Sequence, residues 1–145
     1  MKLVVQRVRV AKVEVDNNVV GKIDKGFLVL IGMTHMDTKE KADYLVKKVC
    51  NLRVFEDEKG KMNLSIKDVK GKLLIVSQFT LYANCEGGNR PSFTDAAKPD
   101  IAEKLYEYFC EQCKQNGIEV QKGIFGADMK VSLLNDGPVT IVLEK

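Results

Sequence analysis

The chain opens on a long alternation of apolar and polar side chains, and that run limits the available folds more than any other feature. Lys2-Leu3-Val4-Val5-Gln6-Arg7-Val8-Arg9-Val10 continues through Val13, Glu14 and Val15. Period two with many β-branched residues reads as a long strand with one wet face. Asp16-Asn17-Asn18 is a turn cluster, so Val19 to Ile23 is the returning strand of a hairpin. Lys25-Gly26 makes another turn before Phe27 to Gly32, a run that is apolar without alternation. Such a run fits a strand covered on both faces.

Helical spacing follows. Asp37 is expected to cap a helix, with Glu40 answering it, and Ala42, Leu45, Val46, Val49 and Leu52 lie on one face. Residues 51–55 close this helix, and 57–71 form a polar stretch broken by Gly60 and Gly71. Lys72 to Leu81 reads as a strand. A second helix is expected from Pro99 to about Asn116, with Pro99 in the first turn and Gly117 as the stop. Its buried face is read as Ile101, Leu105, Phe109 and Tyr108. Three strands, 118–122, 129–134 and 139–143, finish the chain. The expected fold is therefore α/β: one domain over residues 1–145, layered β-sheets with two helices on one side, in the order β-β-β-α-β-α-β-β-β.

Composition is ordinary for a globular protein: 45% hydrophobic, 30% charged, and a formal charge of +3. That balance permits a nucleic-acid partner without requiring one. Residues 1–15 carry no signal-peptide pattern, and no apolar run is long enough to span a bilayer, so a cytoplasmic protein without a membrane partner is expected. Cys50, Cys85, Cys110 and Cys113 are then reduced thiols. Cys110 and Cys113 form a C-x-x-C inside a helical pattern, with His35 the only histidine in the chain. The spacing favours structural thiols over a zinc or redox site. Neither metal nor cofactor is expected.

Two segments stand apart from folding logic. Ser77-Gln78-Phe79-Thr80 arrives where a buried strand ends. Two readings stay open: a strand fraying into solvent, or a polar pocket whose N–H groups and Gln amide hold a substrate carbonyl. The other segment is Asn135-Asp136-Gly137-Pro138-Val139-Thr140. By spacing alone, Asp-Gly between two strands reads as a hairpin turn.

Taken together, these two segments resemble the D-aminoacyl-tRNA deacylase family. The opening Met1-Lys2-Leu3-Val4-Val5-Gln6-Arg7-Val8 resembles it too, as do Asn51 to Asp57 with Gly60-Lys61-Met62-Asn63, Gly88 to Phe93, and Gly123 to Met129. The likeness runs in order along essentially the whole chain.

The resemblance implies an ester hydrolase that edits D-aminoacyl-tRNA, and glycyl-tRNA as well, while rejecting L-aminoacyl-tRNA. It implies a homodimer in which Ser77, Gln78, Phe79 and Thr80 form a pocket facing Gly137 and Pro138 of the other subunit, joined by a cis peptide. The aminoacyl-tRNA 3′ end would enter, with Phe79, Ala102 and Phe125 near the nucleotide and Arg7 bracing the partner's Gly-Pro loop. Carbonyls of a rigid Gly-Pro pair would clash with an L side chain, which is selection by exclusion. The pocket segments hold no His, Cys or carboxylate. Thr80 as nucleophile lacks an evident base. The resemblance favours the ribose 2′-hydroxyl of the RNA as activator of water, with the protein positioning the ester. A non-catalytic aminoacyl-tRNA-binding module is the remaining alternative. One departure is Asn84-Cys85-Glu86-Gly87-Gly88, where relatives tend to carry basic residues. Glu86 suits a phosphate poorly, so Arg90, Lys61, Lys67, Lys70 and Lys72 are candidates for RNA contact, although solvated surface charge explains most of them.

Overall fold

The computed structural model describes residues 1–145. Its frame is a six-stranded mixed sheet. The opening alternation forms β1 (Lys2–Val15), and a turn with left-handed Asp16 and Asn17 returns it as β2 (Asn18–Ile23). Consecutive positive φ angles match a hairpin turn whose twist suits the flanking strands. β3 (Gly26–Gly32) runs antiparallel to β1, Lys2 opposite Gly32 and Val8 opposite Gly26.

Helix α1 (Lys39–Asn51) starts after Thr38, not on Asp37. The Asp37 carboxylate is buried and accepts hydrogen bonds from the Met1 α-ammonium at 2.5 Å and the Thr34 amide at 2.8 Å. A buried charge needs such a partner, and that demand overrides the capping preference. The polar stretch after α1 contains a small ribbon, β4 (Phe55–Glu56) and β5 (Met62–Leu64). β6 (Lys72–Ser77) lies parallel to β3 and ends at Ser77, earlier than the expected Leu81, because residues 79–82 coil into a single 3-10 turn.

α2 (Pro99–Gln115) ends before Gly117, whose φ of +81° is the left-handed stop read from the sequence. Its buried face is Ala102, Leu105, Tyr106, Phe109, Cys110 and Cys113. Ile101 is exposed and Tyr108 only partly covered, so the expected face is rotated by about one residue. The reason is a polar anchor: the Tyr106 hydroxyl donates to the Ile75 carbonyl at 2.8 Å inside the core. Burial pushes its ionisation upward and keeps it a donor.

β7 (Val120–Lys122) pairs with β6 in parallel. The end of the chain departs most from expectation. In place of two strands joined by a hairpin there is one strand, β8 (Lys130–Glu144), antiparallel to β1 from Glu14–Lys130 to Lys2–Glu144. β1 is long enough to pair the whole segment, so the chain passes Asp-Gly-Pro without reversing. The ladder steps from Thr140 opposite Gln6 to Asn135 opposite Val8, and the residues between leave it as a bulged loop.

β2 and β3 share one edge of β1, with β8 on the other. The sheet therefore curls, bringing β2 over β6 and β7. Val8, Ala11, Val13, Ile23, Leu28, Leu74 and Val76 fill the inside of the curl. Phe27, Val29, Ile31, Leu73 and Ile75 point the other way, into the core beneath α1 and α2. β3 is thus buried on both faces, as its unbroken apolar run predicts.

Candidate active site

Parallel β3 and β6 end side by side, and beyond their carboxyl ends lies a cavity of about 680 Å³. Crevices outside the carboxyl ends of parallel strands are where open α/β sheets bind ligands. Ile31, Val76, Ser77, Gln78 and Phe79 form its floor and near wall. Met33, Ala96, Ala97, Lys98, Pro99 and Ala102 close one side, and residues 125–129 with Val131 close the other. Of the residues singled out from sequence, Ser77, Gln78, Phe79, Ala102 and Phe125 all line this one space.

The polar end of β6 is built rather than frayed. The Gln78 amide donates its N–H to the Ile31 carbonyl at 2.8 Å, which extends the β3·β6 pairing by one residue. The chain then turns on Phe79–Tyr82, whose first internal bond is Leu81 N–H to the Gln78 carbonyl at 3.3 Å. The N–H groups of Phe79 and Thr80 precede that bond and have no partner within the turn. Gly32 lets the turn settle onto β3: a Cβ there would stand 2.9 Å from the Gln78 carbonyl oxygen.

Thr80 does not line the cavity. Its hydroxyl accepts a hydrogen bond from Gln78 Nε2 at 2.5 Å. An amide N–H cannot take up a proton, so this contact orients Thr80 without activating it as a nucleophile. Phe79 is 58% exposed and meets Phe93 edge-on at 5.0 Å, forming an aromatic lip at the mouth. Tyr106 sits 5.9 Å from Phe125 and ties the far wall to α2.

The wall at residues 94–98 is held by contacts that local sequence did not signal. Thr34 Oγ1 donates to the Asp95 carbonyl at 2.6 Å, His35 Nε2 lies 2.7 Å from the Thr94 carbonyl, and Ala97 N–H donates to the Met33 carbonyl at 2.9 Å. His35 is thus a brace for the wall, outside the cavity lining.

Gly137, Pro138 and Arg7 are absent from this lining. Arg7 faces Phe27, four residues along β3 from Ile31, or about 13 Å at strand rise. The Gly137–Pro138 peptide is cis, and Gly137 has a φ of +147°. The loop is clamped locally: Asn135 Oδ1 accepts the Val139 N–H at 2.8 Å while its Nδ2 donates to the Val139 carbonyl at 3.2 Å. Buried Arg7 donates from Nε to the Asp136 carbonyl at 2.7 Å and from Nη1 to the Val54 carbonyl at 2.6 Å. Within the chain, Arg7 thus braces the loop of its own subunit. β1 and β8 are paired neighbours, so the loop leaves the ladder directly beside the Arg7 of its own chain.

Which proteins share this arrangement decides how it is read. The sequence model of the D-Tyr-tRNA(Tyr) deacylase family matches residues 4–144. The chain belongs to this family. A D-aminoacyl-tRNA deacylase of Fusobacterium nucleatum is 61% identical over 144 residues, covering 99% of this chain and 95% of the relative. One from Thermosipho africanus is 57% identical, covering 99% of this chain and 97% of the relative. Among solved structures, the c-Myc DNA Unwinding Element Binding Protein superposes with a TM-score of 0.92 at 43% identity, over 100% of this chain and 99% of its own. A probable eukaryotic D-amino acid tRNA deacylase superposes at 0.85 with 17% identity, which shows the shared fold.

Within this deacylase family fold, two residues carry roles that their local sequence did not suggest. Asn135 looked like part of a turn and is the clamp of the loop. Lys98, which the sequence reading did not single out, lies on the cavity lining. A hint for Lys98 was Pro99, since a helix starting at a proline points its first turn, with the residue before it, at whatever lies in front.

Proposed function

We propose that this chain hydrolyses the ester of D-aminoacyl-tRNA, and of glycyl-tRNA, while sparing L-aminoacyl-tRNA, and that it works as a homodimer. The observation that carries the reading is the cavity beyond β3 and β6. It is a largely apolar space, sized for one nucleoside and its acyl group, with Ser77, Gln78 and Phe79 on its lining, in a chain of the deacylase family. Water attacks the ester carbonyl carbon, the bond to the ribose oxygen breaks, and that oxygen takes the proton. The products are a free amino acid and an RNA with its terminal hydroxyl restored. Negative charge builds on the carbonyl oxygen on the way, and backbone N–H groups are suited to receive it.

The cavity lining offers no nucleophile–base pair for this step. Thr80 lies outside the lining, and Asp128, the one lining carboxylate, is held by Lys130 Nζ at 2.9 and 3.0 Å. The 2′-hydroxyl of the terminal ribose, adjacent to the ester, then directs the water, and the protein contributes positioning.

Stereoselection in this reading comes from Gly137 and Pro138 of the second subunit. Gly137 and Pro138 are off the lining of their own chain's cavity, so a role beside the ester requires the cavity of a second subunit. β8 is a 15-residue strand paired on one edge alone, and Leu133, Leu134 and Val142 on it are exposed, as is Val10 on β1. A long edge strand bearing exposed apolar residues invites association unless another chain covers it.

The test is hydrolysis of D-tyrosyl-tRNA and L-tyrosyl-tRNA by the purified protein. Loss of the D ester alone supports the reading, and binding without turnover overturns it in favour of a binding module. The assignment of catalysis to the RNA is checked separately. Thr80→Ala should retain much of the activity, and a tRNA ending in 2′-deoxyadenosine should be a poor substrate. A folded Thr80→Ala protein that binds tRNA yet is inert would assign the nucleophile to Thr80 instead.

A further inference from the structure

We propose that Lys98 binds the phosphate joining the terminal nucleoside of the RNA to the nucleotide before it, an inference that rests on the deacylase reading above. The cavity lining contains one cation, Lys98, and one anion, Asp128. Asp128 is engaged by Lys130. Lys98 belongs to none of the ion pairs of the chain. Its acidic neighbours Asp95 and Asp100 are exposed and lie outside the lining.

Folding does not account for a lysine at this place. Lys98 is the residue before the first turn of α2, where the helix presents its positive end. Helix stability favours an anion there and disfavours a cation. The backbone of Lys98 is nonetheless held firmly, its carbonyl accepting the Ile101 and Ala102 N–H groups at 3.1 and 2.9 Å. An ammonium outside any ion pair is thus tethered at a fixed backbone position on the lining.

The ligand supplies the complement. A volume of about 680 Å³ lies within the range of roughly 300–1,000 Å³ that encloses a single small molecule. One nucleoside with its acyl group is enclosed, and the phosphate on its 5′ side is left at the mouth. The loop over residues 84–92 carries Glu86 and Arg90, which offset each other. That loop is off the cavity lining, on which Lys98 is the only cation. An ammonium on a flexible stem binds phosphate as a point charge.

The experiment compares two substrates, 3′-O-D-tyrosyl adenosine and the same ester bearing a 5′-(methyl phosphate) diester, with wild type, Lys98→Met and Lys98→Arg. The wild type should favour the phosphate-bearing substrate in kcat/KM. Lys98→Met should lower that ratio about three- to tenfold, chiefly through KM, and Lys98→Arg should restore it. With D-tyrosyl-tRNA, the slope of log KM against log salt should fall by about 0.7 in Lys98→Met, as for one lost single-strand phosphate contact. An unchanged substrate ratio overturns the inference, and it does so even if the salt slope falls, since Lys98 would then meet a different phosphate. A wild-type protein that hydrolyses neither these esters nor D-tyrosyl-tRNA overturns the deacylase reading itself, and this inference with it.

Discussion

Asn135 spans the bulge in β8 with one side chain: it accepts from the Val139 N–H, and it donates to the Val139 carbonyl and to Thr140 Oγ1 at 3.1 Å. Removing it leaves part-buried backbone groups without partners, at a cost of about 1–3 kcal/mol. Asn135→Ala should therefore lower the melting temperature, and hydrolysis of L-tyrosyl-tRNA relative to D-tyrosyl-tRNA should rise as the loop loosens. Unchanged selectivity in the variant would show that Arg7 alone sets the loop. Cysteine chemistry is also decided residue by residue. Cys50, Cys110 and Cys113 are buried and Cys85 is exposed. Burial pushes the Cys110 thiol up to about 12, and Cys50 together with burial raises Cys113 further. In the folded protein a thiol reagent should modify Cys85 alone, with the others reacting only in denaturant. Mass spectrometry of the native adduct checks this, and labelling inside the α1–α2 interface would contradict it.

Among the elements, the β4–β5 ribbon has a pH dependence of defined sign. The Asp57 carboxylate is held below its ordinary value first by the Lys61 amide, then by the Lys59 amide and the Asn63 side chain. Asp68 is lowered by the Ser65 amide and hydroxyl. A carboxylate with a depressed folded pKa contributes stability that is full above its unfolded value, 3.8 here, and is lost as pH falls through the folded value. The protection factors of the Lys61 and Ser65 amides should be high at neutral pH and fall below about pH 4. Protection that persists to strongly acid pH would show that the carboxylates do not hold these turns. α2 illustrates what an element reveals of itself. Its start at Pro99 and stop at Gly117 were legible, because proline and glycine act within a single turn. Its buried face was not, because the Tyr106 bond to Ile75 comes from a strand distant in sequence and sets the rotation. The same holds for Asp37, whose pairing with Met1 could not be read from a capping pattern.

For the whole molecule, association is the property on which the reading of function depends. Leu134 is 54% exposed and stands opposite the exposed Val10, on the strand that carries the loop. Leu134→Lys should shift the protein from dimer to monomer in sedimentation and abolish deacylation while each chain stays folded. A folded monomeric variant with full D-selective activity would sink the two-subunit site. Local patterns sufficed for much of the molecule: period-two alternation for β1, an unbroken apolar run for β3, and helical spacing for α1 and α2. These are legible because propensity, periodicity and turn chemistry act over a few residues. Only the tertiary structure decided whether residues 130–144 form a hairpin or one strand. The Asp-Gly-Pro signal is the same in both cases, and the outcome depends on β1, more than a hundred residues earlier, offering an edge long enough to pair the whole segment. The place of Lys98 on the cavity and of Arg7 on its own loop was decided likewise, since both follow from contacts between segments that local sequence cannot bring together.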